Sequence, residues 1–259
     1  MTAKQKKQTK RKTQTKIFIL ALFIFFMGGT AAGGDSTPVV EWSRKFDGSG
    51  MEWGNAIQQT NDGGYIFAGS IADPSGNRGS NALIIRLDVE GDIVWQRSFG
   101  GAGTDIINAI RQTRDGGYIF AGTSSSSDGY FSCNRGDWDG WVVKLYSDGE
   151  IDWKRMLGGS GADHFNAVYA STAGGYIAVG SSASSDGDMP GSRYYSDGWI
   201  VKLDNNGDVG WQKLLGGSGS DSFHSIQQTA DGGYVVTGTS SSGDESDLWI
   251  VRLSPAPQN

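Results

Sequence analysis

The chain has 259 residues, of which 22 are lysine or arginine and 28 are aspartate or glutamate, for a formal net charge of −6. The first 34 residues hold seven of the basic residues and no acidic one, so residues 35–259 carry a net charge of −13. This acidic body argues against binding to nucleic acid or to anionic lipid, and the single cysteine, Cys133, excludes an intrachain disulfide.

Residues 1–34 have the features of an export segment. A basic stretch is followed by an apolar run from Ile17 to Met27 and then by small residues through Gly34, which is the order of a secretory signal peptide. The apolar run has 11 residues, fewer than the roughly 20 that span a bilayer. We predict a signal peptide, or else an uncleaved anchor that is the protein's only membrane contact. The protein is then extracellular, on the cell surface or periplasmic.

A fourfold repeat occupies residues 35–259. Gly-Gly-Tyr begins at residues 63, 116, 174 and 232, and a tryptophan lies at residues 42, 95, 153 and 211. Both series are spaced by 53, 58 and 58 residues, which indicates a repeat protein with a period typical of propeller blades. Four apolar segments in each repeat, named a to d, are separated by Gly, Asp and Asn and predict four short strands. In the first repeat they are residues 56–60, 64–70, 83–87 and 93–99.

The turn residues predict that successive strands are antiparallel. Segments a and b are joined by Asp-Gly in three repeats and by Ala173-Gly174 in the third, and Asp-Gly favours tight hairpins. Four antiparallel strands joined by hairpins form one propeller blade. We therefore predict an all-β fold, a β-propeller of four four-stranded antiparallel blades over residues 35–259.

The two ends of the repeat region predict how the blades close. Residues 39–46 match segment d, and residues 248–253 match segment c. Pairing these strands within one chain completes the fourth blade and removes two exposed sheet edges. Pairing them between two chains gives an eight-bladed dimer instead. We predict closure within one chain, with the N-terminal strand d completing the C-terminal blade, and the dimer stays open as the alternative.

The segments joining c to d carry a family resemblance. Leu-Asp-x-x-Gly-x-x-x-Trp runs from Leu87 to Trp95 and from Leu203 to Trp211, whereas the second repeat has Tyr146 in place of the Asp. This pattern resembles the tryptophan-docking segment of quinoprotein-dehydrogenase-like propellers, and the fuller repeat is similar to secreted propeller repeats of bacteria and archaea. The resemblance implies a tryptophan packed between neighbouring blades. It implies no activity, because the ligands of a quinone site have no match here.

One end of the predicted propeller carries the variable loops. Antiparallel strands place the d–a links and the b–c loops together, and the b–c loops of repeats two and three (124–138 and 182–196) are long and rich in aromatic and charged residues. Loops on a rigid scaffold often bind ligands, and aromatic rings beside charges suit protein or glycan partners. The predicted binding residues are Tyr130, Asp137, Trp138, Arg193, Tyr194 and Tyr195. The alternative, that these rings only pack the loops, stays open.

Each d–a link ends in an acidic residue at the same position: Glu52, Asp105, Asp163 and Asp221. Such a ring of carboxylates could bind a cation such as Ca²⁺ near the axis. Alternatively, each carboxylate accepts backbone N–H bonds and orders its own glycine-rich turn. Calcium is the only cofactor that the sequence suggests.

No Ser/His/Asp set, Cys/His metal spacing or phosphate-binding loop is recognisable in the sequence. We therefore predict an exported, non-enzymatic module that binds a protein or a glycan through the loop-bearing end. Two alternatives stay open. One is a polysaccharide hydrolase or lyase that uses two loop carboxylates as acid and base, and the other is an architectural module of the cell surface.

Overall fold

The computed structural model describes residues 37–46, 51–72, 79–131, 133–189, 195–242 and 245–255. The predicted leader lies outside these residues, and within them no helix is long and apolar enough to cross a membrane. One short 3₁₀ helix, Gly129–Phe131, accompanies the strands. The strands are β1 (Glu52–Gln59), β2 (Tyr65–Ala72), β3 (Ser80–Leu87), β4 (Ile93–Phe99), β5 (Asp105–Gln112), β6 (Tyr118–Ser124), β7 (Asp139–Leu145), β8 (Ile151–Leu157), β9 (Asp163–Ala170), β10 (Tyr176–Ser182), β11 (Asp197–Leu203), β12 (Val209–Leu215), β13 (Asp221–Gln228), β14 (Tyr234–Ser242) and β15 (Glu245–Leu253).

These strands form four antiparallel sheets in chain order, which we call blades 1 to 4. Blade 1 is β1–β4, blade 2 is β5–β8, blade 3 is β9–β12 and blade 4 is β13–β15. The predicted all-β fold with four antiparallel blades is confirmed. In the described residues blades 1 to 3 have four strands each and blade 4 has three.

The core consists of three interfaces between successive blades and a fourth cluster, in which Leu83 and Ile85 of blade 1 pack with Trp42 of the N-terminal segment. Ile84 of blade 1 packs with Phe120 and Trp141 of blade 2, and equivalent clusters join blade 2 to blade 3 and blade 3 to blade 4. We call the side of a blade that faces the next blade its trailing face, and the side that faces the preceding blade its leading face. No cluster of buried residues in the described chain joins blade 4 to blade 1.

Docking of tryptophan on tyrosine explains why the two sequence landmarks share one spacing. The Trp95 ring of β4 lies 5.7 Å from the Tyr118 ring of blade 2 in an edge-on contact, and its Nε1 donates to the Ser147 carbonyl at 3.0 Å. Trp153 docks on blade 3 in the same way, 5.6 Å from Tyr176. This is the inter-blade packing that the family resemblance implied.

The N-terminal segment, residues 37–46, is docked on blade 1 and contains no assigned strand. Its Trp42 ring lies 5.4 Å from Tyr65, and Arg44 donates to the Glu90 carbonyl at 3.0 Å. No backbone pairing between this segment and β15 occurs among the described residues. The predicted pairing with β15 is therefore absent from the described residues, whereas Trp42 and Arg44 dock on blade 1 as strand d of a preceding blade would.

Candidate functional site

The loop-bearing end, which we call the loop face, is held together by buried aspartates. Asp105 is fully buried and accepts hydrogen bonds from the Ser124 hydroxyl, from the Ser126 hydroxyl at 2.9 Å and from the Gly101 N–H at 2.9 Å. Asp163 repeats the arrangement with Ser182, Ser184 and Gly159. Each carboxylate thus ties the d–a link to the end of strand b in its own blade.

These contacts match the structural interpretation of the acidic positions at Asp105 and Asp163. Asp221 is also fully buried and accepts the Gly217 N–H at 2.9 Å, whereas Glu52 is half-buried. Burial raises the pKa of Asp105, and the hydrogen bonds from Ser124, Gly101 and Ser126 oppose that shift. No group of three or more His, Cys, Asp or Glu side chains lies close enough to hold a metal ion in the part of the chain that is described. A calcium site at these positions stays a prediction.

The long loops of blades 2 and 3 meet above the junction of these two blades. Arg135 from the first loop forms an ion pair with Asp188 of the second, with Nη1 to Oδ2 at 2.6 Å. The same Asp188 carboxylate accepts the Gly158 N–H at 3.1 Å, and Arg135 donates to the Gly158 carbonyl at 3.3 Å. The d–a link between the two blades is therefore clamped from both loops.

Below this clamp lies the buried carboxyl group of Asp139. Its Oδ2 accepts the Arg135 N–H at 2.9 Å, and a Cβ placed on Gly158 would lie 2.4 Å from Oδ1 of Asp139 and 2.6 Å from Oδ2 of Asp163. Burial raises the pKa of Asp139 to about 6, against the opposing hydrogen bond from Arg135 and with help from the charge of Asp163. Only glycine leaves room for two carboxyl groups beside this backbone.

Trp138 lies half-buried at the edge of the same junction. Its ring centroid is 6.1 Å from that of His164, and the Nδ1 atom of His164 lies 2.9 Å from the Thr123 hydroxyl. Burial lowers the pKa of His164, with the charge of Asp163 opposing, so this imidazole is neutral at pH 7. Trp138 is therefore anchored on a neutral, partly buried ring.

Three of the other predicted binding residues, Tyr130, Asp137 and Tyr195, lie in the described parts of the two long loops. Tyr130 is 43% exposed; its ring contacts Phe99 at 5.4 Å and lies under the Lys154 ammonium at 5.7 Å. Tyr195 is 56% exposed, and Asp137 is exposed. Arg193 and Tyr194 lie outside the described residues. The structure does not join Tyr130, Trp138 and Tyr195 by any ring contact in the described chain.

Sequence reasoning assigned no site role to Arg135, Asp139, His164 and Asp188, which the structure brings together at this junction. Arg135 and Asp188 are 53 residues apart, whereas repeats two and three are offset by 58 residues, so the two residues occupy different places in their loops and the repeat carried no signal for their contact. The contact itself depends on how the two loops fold.

At the opposite end, where the a–b and c–d turns lie, a pocket of about 540 Å³ lies between blades 1 and 2. Its wall includes Arg86, which is buried, pairs with Asp62 at 2.5 Å and donates to the Tyr118 hydroxyl at 3.0 Å. Blade 2 has the same cation–aspartate pair, Lys144 with Asp115 at 2.8 Å. Because the pair recurs between blades, it supports the turns rather than a single ligand site.

Comparisons with known proteins give similarity to solved structures alone. No protein family matches the chain, and no curated protein matches it. Sqt1 from Chaetomium thermophilum is similar with 18% identity and a TM-score of 0.41, over 79% of this chain and 44% of that one. BamB from Moraxella catarrhalis is similar with 16% identity and a TM-score of 0.35, over 75% and 59%.

Levansucrase from B. megaterium is similar with 10% identity and a TM-score of 0.36, over 78% of this chain and 63% of that one. The chain therefore spans about half to two thirds of the length of these structures. All three are β-propeller proteins. At this level of identity the likeness concerns the fold and assigns no family.

Proposed function

We propose that the protein is an exported, non-enzymatic propeller of the quinoprotein-like kind that binds a protein partner at the junction of blades 2 and 3 on the loop face. The observation that carries the proposal is the clamp between Arg135 and Asp188. It fixes two long loops to each other over one junction, and the same two loops carry Tyr130 and Tyr195, which are 43% and 56% exposed. Variable loops held by a rigid scaffold are a usual place for binding.

The chemistry of this junction favours a protein partner. Tyrosine, tryptophan and arginine are the residues that most often dominate protein interfaces, and all three types occur here. The rings of Tyr130 and Trp138 contact different neighbours and form no shared stacking platform in the described residues, as a sugar would need. A glycan is the second ligand class that the experiment below examines.

The net charge of the repeat region restricts the class of protein partner further. Residues 35–259 carry a net charge of −13, so long-range attraction favours a basic or neutral partner. Association driven partly by such attraction weakens as the salt concentration rises. The partner we expect is therefore a protein surface rich in lysine and arginine.

Alanine substitution of Tyr130, Trp138 and Tyr195 tests the proposal on arrays of lysine- and arginine-containing peptides and of oligosaccharides. We expect the triple variant to lose at least ~10-fold in affinity for the peptides it binds, since interface aromatics contribute about 1–2 kcal/mol each. Tyr146→Ala is the matched control, because Tyr146 is 52% exposed on the turn end. Equal losses in both variants, or none in either, contradict the proposal, and a loss confined to oligosaccharides identifies a glycan ligand instead.

A further inference from the structure

The trailing face of blade 4 exposes side chains that the other blades bury. Ile84, Val142 and Ile200 occupy one position on strand c of blades 1 to 3, and each is fully buried against the next blade. Ile250 occupies the same position on β15 and is 62% exposed, and Leu248 beside it is 77% exposed. The exposed apolar side chains thus belong to a surface whose equivalents on blades 1, 2 and 3 each form an interface with the next blade.

Strand a on the leading face of blade 1 shows the complementary exposure. Ile110 of blade 2 is fully buried and Val168 of blade 3 is 1% exposed, each against the preceding blade. Ile57, at the same position of β1, is 63% exposed, whereas Leu83, Ile85 and Leu87 of β3 are buried in a cluster with Trp42 and Phe46. The exposed positions on blades 4 and 1 therefore correspond to the two halves of the interface that the repeat builds between successive blades.

The hydrogen bonds between the a strands of successive blades also recur from blade to blade. Asn55, Asn108 and Asn166 sit at the β-bulge of their strands and each donates an amide N–H to a carbonyl of the next blade, at 2.9, 2.8 and 2.8 Å. The fourth bulge residue, His224, is exposed on blade 4. Its Nε2 lies 3.4 Å from the Thr239 hydroxyl of the same blade, and the other ring nitrogen can donate to a blade that follows.

The N-terminal segment identifies which blade belongs there. Each docking strand does two things: β4 pairs with β3 of its own blade, and its Trp95 docks on the blade that follows. Residues 37–46 make the docking contacts on blade 1 through Trp42 and Arg44 but pair with no strand c in the described chain. The outer edge of β15, a strand c, is also unpaired in the described residues.

We propose that two copies of this chain associate head to tail, with the trailing face of each blade 4 packed on the leading face of the other copy's blade 1. Residues 37–46 of one copy then add as the fourth strand to β15 of the other. Two such contacts related by a twofold axis close a ring of eight blades, within the range that propellers adopt. Each contact reproduces the interface already present between blades 1 and 2, 2 and 3, and 3 and 4.

The internal pairs give the register of the new strand pair. Gln96 of β4 lies opposite Ile85 of β3, and Gln212 of β12 lies opposite Val201 of β11. The same repeat position places Ser43 opposite Val251 across the two copies. Directly opposed residues of an antiparallel pair have Cα atoms about 4.5–5.5 Å apart, within the range that a disulfide spans.

Cross-linking between two differently tagged full-length chains tests the proposal. In a Cys133→Ser background, one chain carries Ser43→Cys and the other carries Val251→Cys, and the two are co-expressed and oxidised. We expect a disulfide-linked species containing both tags at twice the mass of one 27.6 kDa chain. The control replaces Val251→Cys by Tyr146→Cys, in the c–d turn of blade 2 and outside the proposed contact, and should give no linked species. A linked species with the control at equal yield would show random oxidation and overturn the proposal.

A second pair of measurements separates the dimer from a ring that closes on itself. One chain carrying both Ser43→Cys and Val251→Cys should form covalent dimers. If the ring closed within one chain instead, this double variant would give an internally linked monomer, and the mixture of two tagged chains would give no linked species. The variant Ile250→Asp should halve the mass found by light scattering with the circular dichroism spectrum retained. Val94→Asp, at a position 58% exposed on β4, should leave that mass unchanged. A monomeric unsubstituted chain, or a mass unaffected by Ile250→Asp, contradicts the proposal.

Discussion

At the scale of single residues, Asp139 is the group whose ionisation the fold opposes most clearly. Its carboxyl group is 1% exposed, and burial raises its pKa from 3.8 to about 6. Between about pH 4 and pH 6, this carboxyl group is therefore protonated in the folded state and ionised in the unfolded state. The associated stability is fully present below pH 4 and is lost as the pH rises through 6.

Replacing this carboxyl group by an amide should remove that loss. Asp139→Asn keeps an oxygen that can accept the Arg135 N–H and cannot ionise. We expect the two proteins to unfold at similar urea concentrations near pH 4. By pH 7 the variant should be more stable by on the order of 2–3 kcal/mol, since one pKa unit is worth about 1.4 kcal/mol. Urea unfolding at pH 4, 5, 6 and 7 measures the difference, and parallel curves for both proteins would contradict the assignment.

At the scale of elements, the a–b turn of blade 3 is the one that departs from its repeat. In blade 2 the turn aspartate Asp115 pairs with buried Lys144 at 2.8 Å. Blade 3 has Ala173 at this position, so Lys202 donates to the Gly174 carbonyl at 2.8 Å instead. Desolvation lowers the pKa of Lys202, with the charge of Asp204 opposing. The folded state is thus less stable when this amine is charged, and stability rises as the pH increases towards 10.5.

Restoring the aspartate should stabilise blade 3. We expect Ala173→Asp to raise the free energy of unfolding at pH 7 by about 1 kcal/mol, as a partly exposed ion pair does at best. The variant should also lose the gain in stability that accompanies deprotonation of Lys202 as the pH rises towards 10.5. Asp115→Ala is the matched reverse change and should cost roughly 3 kcal/mol, because it leaves Lys144 buried without a carboxylate. Thermal or urea unfolding gives both values; a destabilised Ala173→Asp protein would show that the turn cannot accept the carboxylate.

Strands were predictable from the sequence wherever the alternation of apolar residues is unbroken. Strand b of blade 1 was expected to begin at Gly64 and starts at Tyr65. Strand a was expected from Ala56, yet β1 starts at Glu52. The cause is the bulge between Gly54 and Ala56, which adds a residue and breaks the period of two that marks a strand.

The candidate site was predictable only in its location. The long loops of blades 2 and 3 identified the loop face, but the ion pair between Arg135 and Asp188 depends on loop conformations that no periodic pattern encodes. The serines that bind Asp105 illustrate the same limit. Ser124 ends strand b and Ser126 follows it in a run of serines, and only the folded hairpin brings their hydroxyl groups to the carboxylate.

At the scale of the whole molecule, the exposed faces of blades 1 and 4 make stability depend on association. Burying Ile57, Ile250 and their neighbours in a second copy removes apolar surface from water, worth about 25 cal/mol per Å². Residues 37–46 would also gain the backbone hydrogen bonds of a strand, which they lack on blade 1 alone. Unfolding of such a ring is coupled to its dissociation, so its midpoint temperature depends on protein concentration.

We therefore expect the Tm to rise by several degrees when the protein concentration increases 100-fold, because a bimolecular equilibrium shifts by about 2.7 kcal/mol over that range. The same series on Ile250→Asp should give a lower Tm that does not change with concentration, since that variant keeps its four blades and loses the contact between copies. Val94→Asp should behave as the unsubstituted chain does. A Tm independent of concentration in the unsubstituted chain, together with a monomeric mass, would mean that four blades are stable with both faces in water and that the apolar residues there serve another partner.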